Sequence, residues 1–81
     1  SNAVSLAAPQ PGDAGLRGEM ADVSSQGNPV AARRMAKEAI DAKEADLEDL
    51  SAAMTYFASQ NDWESAWKAA SRLATEAKIG H

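Results

Sequence analysis

Eighty-one residues make one small domain and no more. With no cysteine, disulfides, thiol catalysis and thiolate metal sites are excluded. A formal net charge of −4 argues against a nucleic-acid surface, which needs a continuous basic face. No apolar run reaches the ~18 residues of a membrane span, so the chain reads as soluble, with its compartment left open.

In chain order, residues 1–3 read as the remnant of an expression tag, and 4–28 as a flexible N-terminal arm. The arm opens with small, proline-containing residues over 4–12. It is mostly irregular, with room for one short helix over 13–23. Asp13 would cap that helix, and Leu16, Met20 and Val23 would share a face. Gly15 and Gly18 weaken it by roughly 1 kcal/mol each relative to alanine. The chain breaks again at Ser24–Gly27.

Asn28–Pro29 is a helix start, with Asn capping free amides and Pro tolerated where no amide partner exists. No glycine or proline follows before Gly80, so one long helix is expected over 29–59, about 45 Å at 1.5 Å per residue. Its apolar stripe runs Ala36, Ile40, Leu47, Leu50, Met54, Phe57. Lys43 interrupts that stripe. Either its charge snorkels to water at the edge, or the packed seam changes partner there.

Asn61 and Glu64 have capping-box spacing, and a second helix is expected over 62–79 with Gly80 as its stop. Its periodic residues are Trp63, Ala66, Trp67, Ala70, Leu73, Ala74 and Ala77. A short turn between the helices makes an antiparallel hairpin, so the predicted fold is all-α with a hairpin domain over 29–79. Trp63 and Trp67 share a helix face and can each bury roughly 150–250 Å². They are expected to anchor the hairpin near its turn together with Met54, Phe57 and Leu73; a partly exposed binding hot spot and a ligand-stacking platform are the alternatives.

The second helix is too short to cover the first, so Val30–Ala42 overhangs. Three covers are considered: the 13–23 segment, which its two glycines make a weak cover alone, a second copy of the chain, or another partner. A homodimer or hetero-complex through this N-terminal half of the long helix is expected. The candidate interface there is Val30, Arg33, Arg34, Met35, Lys37 and Ile40. Its basic cluster precedes the acidic run Glu38, Asp41, Glu44, Asp46, Glu48 and Asp49, so antiparallel self-pairing would set basic against acidic.

Catalysis has no visible basis. The acidic run lacks an ion-binding loop pattern, His81 stands alone, and Ser51, Ser59, Ser65 and Ser71 have no activating base. No catalytic residue, metal site or cofactor is expected. The residues Asp62–Lys78, with Trp63, Ala66, Arg72 and Leu73 at matching positions, resemble the end of the C-terminal helical domain of HscB-type J-protein co-chaperones. The resemblance implies binding of a protein partner. The Hsp70-stimulating J domain and its His–Pro–Asp motif have no counterpart in this chain. The sequence therefore reads as a non-enzymatic protein–protein interaction module: an adaptor, chaperone-like or assembly factor, presenting a helical face to a partner or a second copy. The alternative is a helical accessory domain or subunit of an enzyme whose active site lies elsewhere.

Overall fold

A computed structural model describes residues 11–79, with side chains described from Gly15 to Lys78. The tag remnant, most of the 4–12 linker, the Asp13 cap, the Gly80 stop and His81 lie outside what it describes. The chain is all-α: α1 (Pro11–Ser25), α2 (Pro29–Asp41), α3 (Leu47–Ser59) and α4 (Trp63–Ile79).

Contrary to the expected irregular arm, α1 is helical over Pro11–Ser25, with one kink at Gly15, whose φ of 72° suits glycine. Beyond the kink, Leu16, Met20 and Val23 follow helical spacing; Met20 is buried and the other two pack against the core. Burying that row offsets the poor helix propensity of the glycines, so tertiary packing decides the arm's structure. At its end the Asn28 amide donates to the Val23 carbonyl (2.8 Å) and the Gly27 amide to Ser24 (3.0 Å). With Gly27 at φ 81°, this is a Schellman ending. Asn28 then caps α2 by accepting from the Ala31 amide at 3.2 Å.

The single helix expected over 29–59 is instead two helices, α2 and α3, separated by a turn at residues 42–46. No glycine or proline makes this break. Ala42 turns extended (φ −75°, ψ 130°). Asp46 then begins α3 with a reciprocal capping box: it accepts from the Asp49 amide at 2.8 Å, and Asp49 accepts from the Asp46 amide at 3.4 Å. The carbonyls freed at the end of α2 are taken by a side chain from α4. Arg72 donates to Ile40 at 2.7 Å, to Ala39 at 3.4 Å and to Lys43 at 3.0 Å. A cation at a helix C-terminus is also the favourable sense of the helix dipole.

The α3–α4 turn repeats the chemistry of the α1–α2 turn. The Asp62 amide donates to Phe57 (2.9 Å) and the Asn61 amide to Ala58 (3.1 Å). Asn61 holds the left-handed position (φ 61°), which Asn tolerates better than most residues. Asp62 caps α4 through the Ser65 amide at 3.1 Å. The repetition extends through the sequence. Leu16, Met20, Ser25, Gln26, Ala32 and Ala36 recur as Leu50, Met54, Ser59, Gln60, Ala66 and Ala70, a constant offset of 34 residues (from 16 to 50). The molecule is two similar helical hairpins stacked on each other, the architecture of helical repeat proteins at its smallest.

The helices alternate in direction. Gly15 lies beside Glu48 near the starts of α1 and α3, and Ser24 and Ser59 near their ends line one hollow, so these two run parallel. Arg33 meets Asp62 at one end of α4, and Ile40 meets Arg72 further along it, so α2 and α4 run parallel too. The inner helices α2 and α3 touch each other and both outer helices, whereas α1 and α4 do not meet. Among the described residues, nine of the twelve buried apolar residues are alanine, and only Met20, Leu50 and Phe57 are large. Helices therefore approach closely, and a few big side chains supply much of the burial.

Candidate functional site

The overhang that the sequence reading sets out to cover does not exist. Because the chain turns at 42–46, α2 folds back on α3, and α1 covers its other side. Ala31, Ala32, Ala36 and Ala39 are buried in this way. The residues expected to form one interface separate accordingly. Met35 and Ile40 pack against the core, while Val30, Arg34 and Lys37 are exposed. Arg33 is spent within the fold: it donates to Asp62 at 3.0 Å and lies 5.5 Å over the Phe57 ring.

Asp62 is the polar hinge of this junction. Its carboxylate accepts from the Ser65 hydroxyl at 2.8 Å, the Ser65 amide at 3.1 Å and Arg33 at 3.0 Å. The Ser65 hydroxyl and amide, ahead of Arg33 and against a smaller opposing effect of burial, hold the Asp62 carboxyl below its ordinary value of 3.8. Its contribution to stability is thus complete above the unfolded-state value and is lost as pH falls through the lower folded-state value. Urea midpoints of wild type and Asp62→Asn, followed from neutral pH downward, are expected to differ by a constant amount until about pH 4–5 and to converge in more acid solution. A constant difference down to pH 2 would show that the carboxylate charge contributes nothing.

The expected hairpin anchor divides in two. Phe57 is fully buried and Met54 and Leu73 are half-buried, but Trp63 and Trp67 stand 64% and 72% exposed. The core face of α4 is a different row, with Ala66 and Ala69 buried and Leu73 partly so. The side of α4 that faces the core is lined by alanines, and the indoles lie on a different side of the helix. On α4, Arg72, Ser65 and Lys68 lie on the side of α2. The row Trp63, Trp67, Ala70, Ala74 occupies the opposite flank, at i, i+4, i+7 and i+11. On α3, Ala52, Tyr56 and Ser59 face α1. Leu47, Ser51, Met54 and Ala58 therefore line the edge away from α1, beside α4. The two rows meet along the hairpin seam, and neither contains a charged residue.

The 34-residue repetition gives this flank a meaning. Trp67 and Ala74 of α4 correspond to Arg33 and Ile40 of α2, and Met54 and Ala58 of α3 to Met20 and Ser24 of α1. Those residues of the first hairpin are the ones the second hairpin covers: Arg33 on Phe57, Ile40 with Arg72, Met20 and Ser24 against α3. On the second hairpin Trp67 and Ala74 are exposed, and Met54 and Ala58 are half-buried. Sequence reading missed this because periodicity alone assigns the indoles to the core. The signal that finds it is the recurrence of Ser25–Gln26–Gly27–Asn28 as Ser59–Gln60–Asn61–Asp62.

The acidic run builds a different feature. Glu19, Glu38, Glu44 and Glu48 line an open hollow of about 470 Å³ between α1, α2 and the 42–46 turn. Among the described residues no three acidic or histidine side chains are grouped to hold a metal ion. Of the serines, Ser59 donates to the Tyr56 carbonyl at 2.6 Å and Ser65 to Asp62, both as local turn bonds. None of the described helices is long and apolar enough to cross a membrane. A scan against protein-family models and searches of curated proteins and solved structures found no match to this chain.

Proposed function

We propose that this protein is a non-enzymatic interaction module whose working surface is the α3–α4 flank bearing Trp63 and Trp67. The observation that carries the reading is the exposure of both tryptophans, 64% and 72%, one turn apart on the same flank of α4. Tryptophan is the residue most enriched among binding hot spots, because its large ring gains much on burial and loses little entropy. A contiguous apolar flank on so small a chain is a surface that association would cover. The resemblance of residues 62–78 to a helical domain that holds a protein partner points the same way.

The test is site-specific photo-cross-linking in cells that make the protein. Benzoylphenylalanine in place of Trp67 is expected to give a discrete covalent adduct, and the same group in place of Arg34, on the exposed side of α2, is expected to give none. Absence of any adduct through position 67 would overturn the reading.

A further inference from the structure

The geometry points to a second copy of this chain as the occupant of the α3–α4 flank, the two molecules meeting tail to tail about a two-fold axis with their α4 helices antiparallel. This inference rests on the interaction reading above and names its partner.

Three features of the chain select that occupant. The first is shape. Within one molecule Met20, Ala36 and Ile40, the counterparts of Met54, Ala70 and Ala74, are packed in or against the core shared with the second hairpin, so a helical hairpin is a cover that fits there. The second is the character of the chain's other end. The exposed residues of the first hairpin include one large apolar side chain, Val30, among the charged Asp22, Arg34 and Lys37. Burying indoles there would strand charges without partners, so copies adding head to tail would meet a polar surface at each step. The apolar hairpin face the chain does offer is the flank itself, and a surface that pairs with itself closes as a two-fold dimer rather than growing into a filament.

The third is the asymmetry of the stripe. Its large residues, Trp63 and Trp67, lie toward the start of α4, and its small ones, Ala70 and Ala74, toward the end. Parallel helices would crowd four indoles at one end and leave alanines facing alanines across a gap. Antiparallel helices set each tryptophan over the other molecule's alanines, large against small. The same arrangement brings Glu64, early on the helix, toward Lys78 near the end of its counterpart. The area is adequate for a modest dimer. Indoles burying roughly 150–250 Å² each, with Leu47 and Met54 beside them, sum over two copies to on the order of 1,000 Å², the lower bound for a specific interface.

The experiment is sedimentation equilibrium of the full chain from ~10 to ~500 µM, the range in which an interface of this size associates. A monomer–dimer equilibrium that stops at two is expected. Trp67→Ser and Ala74→Glu should each weaken it at least ~30-fold, the loss of a hot spot. Arg34→Glu should leave it unchanged. Both flank variants should keep the wild-type melting midpoint at dilutions where the wild type is monomeric, which separates lost association from lost folding. In a chain without cysteine, Lys78→Cys carries a single spin label. Antiparallel pairing about the middle of the stripe separates the two labels by about 30 Å, from 1.5 Å per residue along each helix. A label separation near 10 Å, a mass that climbs past two, or a monomer at the highest concentration would each overturn the proposal. A monomer that still cross-links to a different protein through position 67 would overturn self-pairing while leaving the interaction reading intact. No dimer and no cross-link would remove both.

Discussion

Phe57→Ala is expected to cost roughly 3–5 kcal/mol, the range for deleting a buried aromatic ring. A domain of this size has only about 4–12 kcal/mol of total stability at 0.05–0.15 kcal/mol per residue, so most or all of the folded population is at stake. Phe57 and Leu50 are the largest fully buried side chains, and most of the remaining core is alanine. Alanine has no rotamer with which to fill a cavity, so relaxation around the missing ring is limited. The ring also joins elements. Tyr56 meets it edge-on with centroids 5.3 Å apart, and Arg33 of α2 lies over its face. Loss of the ring therefore loosens α2 from the α3–α4 turn as well as emptying the core. Helicity by circular dichroism through a urea titration is the measurement to use, since the exposed tryptophans report weakly on this core. A loss under about 1 kcal/mol would mean that the helices close over the gap, contrary to the packing described.

Arg72→Met is the second large effect, expected at about 2–3 kcal/mol. Methionine keeps most of the stem of the side chain and removes the guanidinium. That group donates to carbonyls of Ala39, Ile40 and Lys43, at 3.4, 2.7 and 3.0 Å. Charged donors to carbonyls are worth more than neutral ones, and the end of α2 has few other donors for these oxygens. The pair with Glu76, at 3.7 Å and partly exposed, adds little. Arg72→Lys should recover only part of the loss, because a single ammonium cannot span three carbonyls as a planar fork does. Hydrogen exchange should show the change as faster exchange at the Ala42 amide, which donates to Glu38 at the end of α2, and at the Ala45 amide, which donates to Ala42 in the turn. If Arg72→Met unfolds at the wild-type urea midpoint, the turn is held by the Asp46–Asp49 capping box alone.

The sequence by itself determines the helical class, the start of α2 at Asn28–Pro29 and the turn at Gln60–Asp62. These are local matters: a cap, a left-handed residue or an apolar repeat acts over one or two turns of chain. Two decisions belong to the tertiary structure alone. The break at 42–46 occurs in a segment with good helix formers and no glycine or proline. Lys43 on the stripe marks where the packed seam changes partner. A continuous helix would have left the α2 alanines in water, and Arg72, from nearly thirty residues away in sequence, supplies the donors that the ended helix requires. The face of α4 is the other decision. Two apolar rows overlap on that helix, and the heavier one, with both tryptophans, dominates any reading by hydrophobicity. Packing decides otherwise. Ala66 and Ala69 take the buried side of α4, so the small row goes inward and Trp63 and Trp67 are left on the outside.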